Sequence, residues 1–191
     1  MILNAYMDHR RLELTSWQAT ERVITTLVEP KPNWPYSNTT AEFTFAHRRQ
    51  KAAATVPHFD SYLHAALNAR TGYGALKWCL TQDSAIVMDA AIAGHVWLSD
   101  NPAPPDLDPD VIADPGFPLR HHPRSTLPIN RVRAAVEEYC RTGTGHRPTC
   151  IDWTPGDLAG RRLDTPIERD FSNYCDDPWC EIPEPKHPTH N

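Results

Sequence analysis

Hydrophobic positions along the chain recur with two periods, one suited to strands and one to helices. Leu3, Ala5 and Met7 alternate with polar or amphipathic neighbours and predict a short first strand. Thr15 and Gln18 then stand at capping-box spacing. Val23, Ile24, Leu27 and Val28 form one stripe, so an amphipathic helix is expected from about Trp17 to Glu29, stopped by Pro30 and Pro32. Residues 30 to 40 read as a loop, and Ala41–His47 as a strand with Phe43 and Phe45 on one face. The clearest extended signal follows. Leu63, Ala65, Leu67 and Ala69 alternate with Tyr62, His64, Ala66 and Asn68, and Thr71-Gly-Tyr-Gly74 supplies a turn. Leu76, Trp78 and Leu80 then resume the alternation, which predicts a β-hairpin. Ala85–Met88 and Gly94–Ser99 read as two further strands of an antiparallel meander.

From Asp100 the composition changes. Asp100, Asp106, Asp108, Asp110 and Asp114 fall in a proline-rich run without Lys or Arg, an arm whose prolines favour extended backbone and lower the entropy lost on docking. Leu127-Pro-Ile129 opens a second helix, with Ser125 or Thr126 as its cap and Pro128 in its first turn. Ile129, Val132, Val136, Tyr139 and Cys140 share its apolar face, and Gly143 ends it. Thr149, Ile151 and Trp153 lie on one face of a last strand that ends at Pro155-Gly156. The expected fold is α+β: an antiparallel sheet of about five to six strands with two main helices packed on it and long proline-rich loops. Residues 1–163 are expected to form this single domain, followed by an acidic, proline-rich tail, 164–191.

Nineteen prolines in 191 residues, about twice the usual share, agree with long loops and arms. The net charge of -5 is unevenly placed. Residues 1–99 carry nine Lys/Arg against eight Asp/Glu, and residues 100–191 carry ten against sixteen. An acidic surface disfavours direct nucleic-acid binding and suits a basic protein partner. The basic cluster Arg48-Arg-Gln-Lys51 reads as a solvated turn. Gly72-Tyr-Gly74 lacks the third glycine and the Lys-Ser/Thr pair of a phosphate loop. Asp106-Leu-Asp-Pro-Asp110 lacks the glycine and final glutamate of a calcium loop. Cys175, Cys180, His187 and His190 invite a zinc reading but form no compact knuckle. No metal or other cofactor is therefore expected. Five scattered cysteines indicate no disulfide framework. The start of the chain does not read as a signal peptide, and no apolar run is long enough to span a membrane, so a cytoplasmic protein without membrane contact is expected.

Candidates for catalysis are His121 and His122 in a proline-flanked loop, where a small hydrolase or transferase would have its site, and Cys140 on a buried helical stripe. An acidic, aromatic-bearing, proline-stiffened surface reads more naturally as an interaction module. Its residues stand in a distinctive order: Gly72-Tyr-Gly-Ala-Leu-Lys-Trp78, Gly94-His-Val-Trp-Leu-Ser-Asp-Asn-Pro102, Asp108-Pro-Asp110 and Asp114-Pro-Gly116. Ser125-Thr-Leu-Pro128 with its helix, Thr142-Gly-Thr-Gly145, Arg147-Pro148 and Trp153 complete it. This order resembles the Imm1 family of actinobacterial immunity proteins over about residues 62 to 164. The resemblance implies a non-enzyme that binds and neutralises a cognate secreted toxin of a polymorphic toxin system, often a zinc-dependent nucleic-acid deaminase. An acidic surface would then cover the toxin's basic cleft. The residues expected to meet the toxin are Trp97, Asp100, Asp106, Asp108, Asp110, Asp114, Trp153 and Asp157, together with acids of the tail.

Overall fold

The computed structural model describes residues 1–29, 38–47, 59–114 and 119–165. Strand β1 (Ile2–Met7) turns back into β2 (Arg10–Glu13) through Asp8 and His9, which have φ of 51° and 61°. Hydrophobic patterning does not anticipate β2, because all four of its residues are exposed and its turn uses no glycine. Helix α1 (Trp17–Val28) follows where expected, capped one residue later than the spacing suggests. The hydroxyl of Ser16, rather than Thr15, accepts from the Ala19 N–H at 3.2 Å.

Strand β3 (Asn38–Ala46) begins within the segment expected to be loop. Strands β4 (Ser61–Asn68) and β5 (Tyr73–Leu80) form the expected hairpin, with Gly72 at φ 77° in its turn. The strand expected at Ala85–Met88 does not form. The buried carboxylate of Asp60 takes the Ala85 N–H at 2.8 Å, Val87 is 91% exposed, and a single helical turn, α2 (Ala90–Ala93), follows. A short apolar run without a neighbouring strand has no ladder to join. Asp60 also accepts from the His47 backbone at 2.7 Å, so it ties this loop to the end of β3.

The chain continues through β6 (Val96–Asp100), β7 (Ile112–Asp114), β8 (Leu119–Arg120), β9 (Thr126–Pro128), α3 (Ile129–Thr142) and β10 (Asp152–Gly156). Thr126 does not cap α3, because β9 keeps it extended opposite Ala75 of β5. Pro128 occupies the cap position without a side-chain bond, one residue ahead of the expected first turn, and Gly143 ends the helix at φ 66°. Among the described residues the main sheet is eight-stranded and antiparallel, ordered β10-β6-β5-β4-β3-β1-β2, with β9 also beside β5; β7 and β8 form a separate pair.

One edge of β5 is shared. Lys77 and Trp78 pair with β6, whereas Tyr73 to Ala75 pair with β9. Ser99 closes the fork between them. Its hydroxyl accepts from the Leu76 N–H at 3.0 Å and donates to the Ser125 carbonyl at 2.6 Å. One sheet face carries Phe43, Phe45, Leu63, Leu67, Leu76 and Trp78, buried against Ile24 and Leu27 of α1 and Val132, Val136 and Tyr139 of α3. The middle of the opposite face is also dry, covered by the segment that follows β6.

Ser99→Ala leaves a buried N–H without its acceptor, so chemical denaturation should show a loss of about 1–3 kcal/mol with an unchanged m-value. A stability equal to the parent protein would mean that the fork does not depend on this hydroxyl.

Candidate functional site

The acidic run does not project from the body; it folds back over the second sheet face. Val111 packs on Ala66 and Ala75, whose small side chains leave room for it, and Tyr73 borders the contact. The preceding residue is the anchor. Asp110 has φ 46°, and its carbonyl accepts from Asn38 Nδ2 at 3.0 Å and Asn68 Nδ2 at 2.9 Å. Asn38 Oδ1 in turn accepts from the Ile112 N–H at 3.0 Å. The Asp110 carboxylate receives Arg120 Nε at 2.6 Å and Arg70 at 3.2 Å. The hydrogen bond from Arg120, helped by the charges of both arginines, holds its pKa below the ordinary carboxylate value. Thr71 Oγ1 adds a bond to the Pro109 carbonyl at 2.8 Å.

The expected contact residues therefore occupy different settings. Asp106 and Asp108 are exposed on either side of Leu107, which is 50% exposed; Asp108 also caps the turn by accepting from the Asp110 N–H at 2.9 Å. Asp114 lies in β7, opposite Leu119. Asp100, at the end of β6, holds the buried guanidinium of Arg162 at 2.7 Å. Arg162 also binds Asp164 and donates to the Arg124 carbonyl at 3.0 Å. Asp157 accepts from both the backbone and the Nε of Arg161, at 2.9 and 2.7 Å.

Trp97 and Trp153 come together on the helix-bearing face of the β6–β10 pair. Arg147 lies over Trp97, its guanidinium carbon 4.1 Å from that ring centre, with the Trp153 ring centre farther away at 5.8 Å. The motif Arg147-Pro148 is part of the family resemblance, but spacing along the chain does not place Arg147 beside the tryptophans, because it belongs to an irregular loop.

A family model described as immunity protein Imm1 matches residues 8–155, well over half of the chain. The chain belongs to the Imm1 family. A search of curated proteins and a search of solved structures returned no match. The Imm1 match begins further toward the N-terminus than the resemblance over residues 62 to 164 and ends at residue 155; it takes in β2 and α1 but not β1. It includes the arm, its Asp110 anchor and the Trp97–Arg147–Trp153 stack. Family membership assigns the chain the role of an immunity protein, a non-enzyme with a cognate toxin as partner.

Several titratable side chains of this Imm1 chain are enclosed. His121 is 3% exposed, so burial lowers its pKa to about 3, with further contributions from His64 and Lys77. His64, opposite Lys77 in the β4–β5 ladder, is likewise held at about 3 by burial and by Lys77. Lys77 Nζ donates to the Leu158 carbonyl at 2.6 Å. Both imidazoles are therefore neutral near pH 7 and enclosed. His122 Nδ1 accepts from the Arg124 N–H and shapes a turn. Burial raises the Cys79 thiol to about 11 and the Cys140 thiol to about 12, away from nucleophilic thiolate. Among the described residues no three His, Cys, Asp or Glu side chains could together hold a metal ion. Cys175, Cys180, His187, His190 and the Arg48–Lys51 cluster lie outside the described residues. No described helix is long and apolar enough to cross a membrane.

The two buried histidines make stability depend on acid. Their folded pKa values lie below the unfolded value of about 6.5, so the unfolded chain binds more protons between those limits. The stability they support is complete above pH 6.5 and is lost as pH falls toward 3. Denaturation at pH 7 and pH 5 should differ by about 2 kcal/mol per buried histidine. His121→Gln should remove about half of that difference; an unaltered pH profile in this variant would show that His121 does not titrate on unfolding.

Proposed function

We propose that this protein guards a producing cell against its own polymorphic toxin, in the cytoplasm of an actinobacterium. The toxin is a nucleic-acid deaminase acting on cytidine, and the protein covers the basic cleft through which that toxin grips its substrate. Residues 1–163 serve as one binding domain, followed by the acidic, proline-rich tail 164–191.

The observation that carries this reading is the exposed Asp106-Leu-Asp108 tip on an arm anchored at Asp110. A cleft that binds phosphate must be basic, so exposed carboxylates both steer the encounter and exclude the competing polyanion. Leu107 supplies apolar area at the centre of the tip. Asp100, Asp110 and Asp157 contribute by holding the acidic segment and the 157–163 loop in shape, and Asp114 adds a further acid to the same stretch of sequence. Trp97 and Trp153 are the aromatic anchors, of the residue type that dominates interface energetics.

Co-expression with the toxin encoded beside this gene should restore growth. The purified pair should lose cytidine deamination on single- or double-stranded DNA. Replacing Asp106 and Asp108 by lysine should lower the association rate by roughly 10-fold or more at low salt and flatten its salt dependence. Asp110→Asn should instead increase proteolytic cleavage within residues 100–114 by loosening the anchor. A wild-type association rate for the double lysine variant would place the interface on another surface.

A further inference from the structure

The loop between α3 and β10 is fastened at four points. Trp78 Nε1 donates to the Gly145 carbonyl at 3.2 Å, and Trp153 Nε1 donates to the Pro148 carbonyl at 2.8 Å. Glu138 of α3 accepts from the backbones of Thr149 and Cys150 at 2.7 and 3.0 Å. Those bonds hold the Glu138 pKa below its ordinary value against the opposing effect of burial. Such fastening is more than a connection between two elements requires. Its effect is to fix one side chain, Arg147.

Arg147 is half-buried, over Trp97 and near Trp153, with exposed His146 before it and exposed Thr149 and Cys150 after it. Among the described residues nothing hydrogen-bonds to its guanidinium, and its buried Nη1 has no partner. Several described arginines have the carboxylate that this one lacks: Arg162 binds Asp100 and Asp164, Arg120 and Arg70 bind Asp110, Arg161 binds Asp157, and Arg133 binds Glu137. Burial lowers the Arg147 pKa, whereas its acidic partners raise that of Arg162. A flat guanidinium lying over an indole can still direct its remaining edge donors to an acceptor in its own plane, and a carboxylate matches that fork.

We propose that the Trp97–Arg147–Trp153 stack receives an aspartate or glutamate side chain of the toxin. This rests on the chain being a toxin binder and adds a second, oppositely charged contact to the acidic tip. The rigid loop means that little order is lost when the carboxylate docks, and the indoles shield the pair from water. Trp and Arg are the residue types most enriched among the few side chains that carry interface energy.

Binding of the full chain and its Arg147→Gln and Arg147→Lys variants to the neighbouring toxin tests the proposal, with melting temperature as the control for folding. Both variants should dissociate roughly 30-fold faster or more, with association changed less than about threefold, as expected when a desolvated contact rather than steering is lost. Lysine should not rescue, because it can neither stack flat nor form the fork. Dissociation within threefold of wild type in the folded Lys variant overturns the proposal and leaves the toxin-binding role intact. If the wild-type chain fails to bind the toxin, the immunity reading fails instead. The carboxylate site is then decided by titrating capped glutamate and capped glutamine into the labelled full chain. Saturable shifts of the Trp97 and Trp153 indole N–H signals with glutamate alone would sustain it. Equal responses to the two compounds, or none, would end it.

Discussion

Backbone and side chain of Asp110 are both saturated with partners drawn from separate parts of the chain. Asn38 of β3 and Asn68 of β4 take its carbonyl, while Arg70 and Arg120 take its carboxylate. A left-handed non-glycine residue costs conformational energy, and aspartate is among the few types that tolerate it. The bonds around it offset that cost. They also settle how the second sheet face is closed. With Asp110 held, Val111 reaches the alanine floor at Ala66 and Ala75, and the remaining acidic run is carried to the surface. Loss of this one junction would uncover a sheet whose centre holds His64 and Lys77 in a dry setting.

The two faces of the sheet use different chemistry. The helix-bearing face is an apolar core of aromatic and branched side chains, close-packed by α1 and α3. The other face is built from small and polar residues under an irregular segment, so its closure depends on hydrogen bonds and ion pairs rather than on area. That division puts the anchored acidic segment on one side and the apolar core on the other. The acidic tip and the Arg147 stack then present opposite charges at separate places. Such a pattern discriminates between partners better than a uniformly negative patch, because a wrong partner meets repulsion at one of the two points.

Much of this architecture was legible in the sequence, for identifiable reasons. Strict alternation across Leu63 to Leu80 marks the central hairpin, and the stripes of α1 and α3 mark the covering helices, since each face must meet the core. Strand β2 was not legible, because an exposed edge strand carries no hydrophobic signal. The run Ala85–Met88 misled for the opposite reason: its pattern is apolar, but Asp60 binds its first amide and no strand lies alongside. For the site, the acidic run and both tryptophans were visible as residue types. Their grouping was not. Arg162 meets Asp100 across 62 positions, and Arg147 joins two strands from an irregular loop, and only the fold brings such residues together.

Each end of the sheet discourages an incoming chain. At one end β2 presents exposed Arg10, Arg11 and Glu13 in a row of four residues, a short charged border of the kind that deters edge-to-edge pairing. At the other end Pro155 interrupts the donors of β10, and the returning backbone pairs through Gly156 and Arg162 and through the Leu163 N–H to the Pro155 carbonyl. A toxin therefore gains little by lengthening the sheet with a strand of its own. Recognition must be read from side chains, and its specificity can be altered residue by residue without disturbing the hydrogen-bonded framework beneath.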